Sequence, residues 1–178
     1  MANVNDPNGF TPAYHLTGGT IRPAQMRIQS AYDTAIYSGD VCNLSGGYLI
    51  QGTATGAPIG VFAGVYYEKT DGSPVFARYW TADVATLGSI DAQAYIYNDP
   101  DIVYEAQFTA GTPAVSFIGN TYTLSTTAGS TSTGRSAEGV TATTSSGVAR
   151  CVGFVDTPSN SIAAYARAFF RFPANPFE

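Results

Sequence analysis

VCNLSGGYLIQ, residues Val41 to Gln51, decides the fold class. Val41-Cys42-Asn43-Leu44 and Tyr48-Leu49-Ile50-Gln51 are two short apolar runs. Ser45-Gly46-Gly47 lies between them. Glycines at that point supply the positive φ angles that a tight hairpin needs, so the stretch reads as strand, turn, strand. Working outward, the same grammar repeats. Gln25 to Ser30 is a run, and Ser38-Gly39-Asp40 is a turn feeding Val41. Gly56-Ala57-Pro58 turns into Ile59 to Tyr67, the longest apolar run. Gly60 and Gly64 interrupt that run, which predicts bends or close backbone approach. Thr70-Asp71-Gly72-Ser73-Pro74 turns again, and Val75 to Thr81 alternates.

Further along, Ala92 to Tyr97 and Ile102 to Phe108 are strands around Asn98-Asp99-Pro100-Asp101. Ala114 to Ile118, Tyr122 to Ser125 and Val148 to Val155 are three more. Ile162 to Phe172 reads as a closing strand, although Ile162 to Ala168 is alanine-rich enough for helix. Asp83 to Ile90 is the one helical turn. Thr126 to Gly147, rich in Ser, Thr and Gly, reads as a long exposed loop or irregular excursion. Many short strands with almost no helix predict an all-β fold, a barrel or a sandwich of short antiparallel strands.

Residues 1 to 25 differ. Pro7, Pro12 and Pro23 with Gly9, Gly18 and Gly19 forbid a helix, and the apolar residues are isolated. This predicts an extended N-terminal arm ahead of a β-rich body over 26–178. Stretched out, such an arm reaches roughly 80 Å. It is expected to bury little on its own body and to dock on a neighbour.

Composition narrows the function. The 178 residues carry only 12% charged side chains, against 44% hydrophobic and 13% aromatic. The usual charged share is about 25%, so the surface must be Thr, Ser, Gly, Asn and Tyr. Net charge is −5, Lys69 is the only lysine, and seven arginines are scattered without a run. No basic stripe for nucleic acid or patch for an acidic membrane is present in that pattern. The start, MANVNDPNGF, lacks the basic and apolar regions of a signal peptide, which predicts a cytoplasmic origin. Cys42 and Cys151 sit in apolar runs and read as buried, reduced thiols, with a bridge not decidable from spacing. They supply no zinc site.

Three carboxylates, Asp99, Asp101 and Glu105, are the one cluster that invites a catalytic or metal reading. On a strand Asp101 and Glu105 would be about 13 Å apart, too far to share a cation. A glycosidase pair at about 5–9.5 Å is the alternative. Asp-Pro-Asp favours a turn closed by side-chain hydrogen bonds, and the turn-and-strand reading is preferred. His15, the only histidine, lies in the arm, and Gly134-Arg135-Ser136 fits no nucleophile elbow. No catalytic residue, cofactor or metal ligand is assigned, and the chain is read as a non-enzyme. Tyr66-Tyr67, Tyr79-Trp80 and Tyr95/Tyr97 form a weaker alternative, a sugar-stacking platform.

NDPNGFTPAYHLTGGTIR at the start, with Phe10, Pro12 and His15-Leu16-Thr17-Gly18, resembles the start of tailed-bacteriophage capsid cement (decoration) proteins. YIYNDPDIVYEAQF resembles an internal hallmark of that family. TSTGRSAEGVTATTSSGVARCVGFVDTPSNSIAAYARAFFRF resembles its C-terminal half, and Gly39-Asp40-Val41 with Ile59-Gly60-Val61 resembles its barrel core. The basic residues expected in the last strands are partly replaced by Ala and Phe. The resemblance implies a virion structural protein on the outer capsid surface, contacting the major capsid protein and neighbouring copies of itself as a homotrimer. It implies arm contacts at Phe10, Pro12, Tyr14, His15, Leu16 and Arg22, with Phe177 as a further contact. Asp99-Pro100-Asp101 would be the family's turn. The alternative function is a carbohydrate-binding or tail-associated adhesion β-module.

Overall fold

The structure is a computed structural model describing residues 3–142 and 147–175. It is all-β. The strands are β1 (Thr11–His15), β2 (Ala24–Ile28), β3 (Ile36–Tyr37), β4 (Val41–Ser45) and β5 (Tyr48–Gln51). β6 (Gly60–Glu68), β7 (Pro74–Ala77), β8 (Tyr79–Trp80), β9 (Ala92–Tyr97) and β10 (Ile102–Ala110) follow. The last are β11 (Thr121–Tyr122), β12 (Leu124–Ser125), β13 (Gly139–Thr141), β14 (Ala149–Phe154) and β15 (Arg167–Arg171).

Two nine-residue strands, β6 and β10, organise everything else. β6 pairs with β9 along one edge. Its other edge is divided between β4 at Gly60–Val61 and β7 at Val65–Glu68. β10 pairs with β15 along one edge, and its other edge is divided between β1 and β13. The resulting sheets run β2-β9-β6-β4-β5 with β7, and β11-β14-β15-β10-β13-β12 with β1. One sheet is nearly closed and barrel-like, with further antiparallel sheets beside it, among them the two-stranded β3-β8 sheet. The β10–β13 pair is parallel, whereas the remaining pairs are antiparallel.

Side chains alternate across a strand, so one strand can feed two cores. Val41 and Val61 enter a core with Phe10, Phe108, Tyr122 and Phe170. Their neighbours Cys42 and Phe62 enter a second core with Ile28, Ile36, Trp80 and Ile96. This is why Val41-Cys42 is apolar at both positions and Ile59–Val65 at every position that Gly60 and Gly64 leave: both faces are largely covered. Cys42 and Cys151 are free and buried, one in each core.

Several expectations need correction. Val75–Thr81 is two strands. The chain breaks at Arg78, so β7 pairs with β6 while β8 pairs with β3 and turns Trp80 inward. Ala114–Ile118 is a 3-10 turn at Val115–Phe117, and the helical turn near Asp83–Ile90 shrinks to Leu87–Ser89. In the closing segment β15 begins only at Arg167, after a turn with Ala166 N donating to Ala163 O. Of the excursion at 126–147, residues 143–146 lie outside the described residues; the rest is not simply exposed, since Ser136, Glu138 and Val140 are buried and 139–141 is a strand.

The largest correction concerns the arm. Extended it is, but residues 3–16 lie along the body. The Asn3 amide donates to the carbonyls of Ser161 (2.8 Å) and Ala164 (2.9 Å). The Gln107 side chain reads the strap like a strand partner, donating to Val4 O (2.7 Å) and accepting from Asp6 N (2.9 Å). Phe10 N donates to Gly39 O at 2.8 Å. Gly9 has φ +72, and a Cβ there would lie 2.6 Å from both Gly39 O and Ser136 Cβ, so only glycine passes. The strap buries surface on its own body because Phe10 supplies a ring that the core would otherwise lack.

Candidate functional site

The strap is the place to look for a docking surface, and the structure sorts the expected residues into different environments. Phe10 is 1% exposed, against Phe170 and Phe172 at ring distances of 6.1 and 5.4 Å. In this conformation it belongs to the core and offers no surface. Pro12 is half-buried and lines a cleft described below. Tyr14 and Leu16 are 42% and 47% exposed, and Val4 is 74% exposed. The Tyr14 ring rests edge-on against Phe169 on β15 at 5.5 Å. Arg22 is exposed. Phe177 lies outside the described residues.

β1 sets this pattern. It pairs with the first half of β10, Thr11 opposite Glu105 and His15 opposite Ile102, and a bulge falls between Pro12 and Tyr14. Proline has no N–H to give the ladder, which is tolerated on an edge strand. The bulge re-aims the chain so that Tyr14 faces out. Leu16 N donates to Asp101 O at 3.0 Å and ends the pairing.

His15 locks the end of the strap. Its Nδ1 accepts from the N–H groups of Thr17 (3.3 Å) and Gly19 (3.1 Å). An Nδ1 that accepts leaves the proton on Nε2, which donates to Asp99 Oδ2 at 3.2 Å. Asp99 Oδ1 accepts from Asp101 N at 2.9 Å, and Ile102 N donates to Asp99 O at 3.2 Å. The Asp101 N–H, aided by His15, holds the Asp99 carboxyl below its usual range. Asp-Pro-Asp is thus the turn expected of it.

One ligand atom each from His15, Asp99 and Asp101 lies within 4.8 Å of the others, close enough to raise the question of a metal. The donor set fits one poorly. A metal on Nε2 would push the proton onto Nδ1, where two N–H groups already point. Asp101 also faces Arg171 at 3.6 Å. Glu105 is engaged by Arg167 at 2.9 Å across the strand pair. The acids of this segment are each committed to a separate partner.

A different carboxylate pair was not legible in the sequence. Asp40 and Glu138 are both fully buried. Asp40 Oδ2 accepts from Tyr37 N at 2.7 Å, and Glu138 Oε2 accepts from Val41 N at 2.8 Å. Asp40 Oδ1 and Glu138 Oε1 have no partner among the described residues. Burial raises both carboxyls, Asp40 to about 6 and Glu138, with the Asp40 charge beside it, to about 9. Near neutral pH the pair therefore carries one proton. The pair sits where the strap, the β4 strand and the 126–142 segment meet, since Gly9 N also donates to Glu138 O at 3.2 Å.

Of the aromatic platform, Tyr67 and Trp80 are core, and Tyr79 stacks on Tyr37 at 5.5 Å. Tyr66 and Tyr95 do face outward. Phe76, 77% exposed, joins them from β7, directly opposite Tyr66 with ring centroids 4.6 Å apart. Tyr95 is opposite Gly64 and therefore diagonal to Tyr66.

Comparison with protein-family models, with curated proteins and with solved structures finds no match to this chain.

Proposed function

We propose that this chain is a structural protein of a virus particle, a cement or decoration protein on the outer surface of a tailed-phage capsid. In this reading it touches the major capsid protein and neighbouring copies of itself, as a homotrimer, and makes and breaks no covalent bond. The observation that carries the reading is the strap. Its backbone is fastened to the body, while Val4, Tyr14 and Leu16 are left as apolar side chains in the open. A pre-ordered strap loses less entropy on docking than a free arm would. A low-charge surface supports the same reading, because desolvating it costs little. Many copies, each bridging a seam between capsomers, would add their contacts through avidity; a standard interface buries about 1,600 Å² in total.

The test is co-sedimentation with capsids stripped of their surface proteins, comparing wild type with a Tyr14→Ser, Leu16→Ser double variant. Deleting the strap is the wrong variant, since it removes Phe10 from the core. Expected is saturable binding that the double variant weakens at least tenfold. Equal binding by both would reject the strap as the contact surface.

The Phe76–Tyr66–Tyr95 stripe favours one second reading, a carbohydrate-binding adhesion module, because sugar faces stack on such rings. Glycan-array binding that is lost in Phe76→Ala, with no capsid binding, would select it.

A further inference from the structure

Arg78 and Arg135 lie 57 positions apart in sequence and line the same cleft. Its volume is about 390 Å³, and it opens between the two cores beside the strap, with Phe10 and Val61 on one side and Phe62 on the other. Neither guanidinium has a carboxylate partner among the described residues. Arg27, Arg167 and Arg171 each have one, at 3.8, 2.9 and 3.6 Å, and the exposed Arg22 and Arg150 have none among the described residues, so what sets Arg78 and Arg135 apart is the cleft they share. In a chain with 13 acidic and 8 basic side chains, partners are plentiful. Yet no Asp or Glu among the described residues lines this cleft.

The two arginines are held there. Arg135 belongs to a segment zipped onto Ser38: Ser38 N donates to Gly134 O at 3.0 Å, and Ser136 N to Ser38 O at 2.9 Å. Gly134 N also donates to Ser130 O at 2.7 Å, closing the turn behind it. Gly134 has φ +69, and a Cβ on it would lie 2.9 Å from Arg78 Cβ. Glycine at 134 therefore both makes the turn and lets the Arg135 backbone close on Arg78. The break between β7 and β8 falls at Arg78 and frees it from the sheet ladder. Two separate irregularities converge on one concave site.

We propose that this cleft binds an organic oxyanion, a carboxylate or phosphate group carried on an apolar body. A guanidinium presents its N–H groups as a fork that matches either oxyanion in two parallel hydrogen bonds. Both side chains are exposed at the cleft, where two like charges side by side attract an anion. Ser38 and Thr11 add hydroxyls at the wall, and the half-buried Tyr97 and Ala63 supply apolar surface. The volume falls in the range of pockets for small organic ligands, about 300–1,000 Å³, and exceeds what an inorganic ion fills. The inference does not depend on the capsid role.

The test is NMR titration of the full chain, following the backbone N–H signals of Ser38, Arg78, Gly134 and Arg135. The probes are acetyl-Phe-Glu-amide, phenyl phosphate, inorganic phosphate and the neutral acetyl-Phe-Gln-amide. At least one of the two organic anions should shift these signals saturably, with affinity falling as salt rises. The neutral dipeptide should not. Arg78→Ala and Arg135→Ala should each weaken binding at least tenfold, while Arg150→Ala, a distant exposed control, should leave it unchanged. Tighter binding of the dipeptide assigns a carboxylate source, and tighter binding of phenyl phosphate a phosphate ester. Inorganic phosphate binding as well as either organic anion overturns the apolar-body assignment. Absence of saturation, or equal weakening by Arg150→Ala, overturns the site.

Discussion

Glu138→Gln should make this protein more stable at alkaline pH and flatten its pH dependence. Glu138 is fully buried, and its neutral form is the one the fold accepts. The sign follows from proton counting. Above the ordinary carboxylate range the unfolded chain has released this proton, while the folded chain keeps it until about pH 9. The folded state then holds one more proton, so stability is full below the unfolded pKa and falls as pH rises. One proton corresponds to about 1.4 kcal/mol per pH unit. Between pH 6.5 and 8.5, above the Asp40 transition near 6, full retention of that proton sets an upper bound of roughly 3 kcal/mol. Glutamine copies the protonated acid: it is neutral, and its oxygen can accept from Val41 N. Urea unfolding of wild type and variant at pH 6.5, 7.5 and 8.5 measures the two slopes. Titrating groups remote from Glu138 contribute equally to both and cancel. Parallel slopes would show that the folded state does not retain the proton, and the retained-proton account would be wrong.

Three further outcomes are expected. Phe10→Ala should cost about 3–5 kcal/mol in denaturant unfolding, as for other buried phenylalanines, although Phe10 lies in a segment that looks like a tail; a loss under 1 kcal/mol would mean the strap is detached in solution. Zinc at millimolar concentration should leave the melting temperature unchanged, because the His15 tautomer opposes ligation at Nε2; a saturable rise abolished by Asp99→Asn would contradict this. A double-mutant cycle on Glu105 and Arg167 should give a coupling of about 1 kcal/mol or less, since both side chains are partly solvated and water screens the pair.

Fold class, most strand positions and the Asp99-Pro100-Asp101 turn were legible in the sequence because each is a local matter. Gly-Gly between apolar runs, alternation along a strand, and an Asx side chain bonding two residues on are decided within a few positions. What the tertiary structure alone decided involves residues brought together from afar. Val41 N and Glu138 meet across 97 positions, and Gln107 and the Val4 carbonyl across 103. The 126–142 segment looked solvated because its Ser, Thr and Gly composition is that of a loop. It is partly buried because the strap, β4 and Ser38 provide the hydrogen-bond partners it cannot provide for itself. The same holds for Phe10, whose isolation in the sequence conceals the two rings waiting for it near the other end of the chain. Local chemistry states what each segment can be; which polar group is left buried without a partner, and which arginine without an acid, is settled only when distant segments pack.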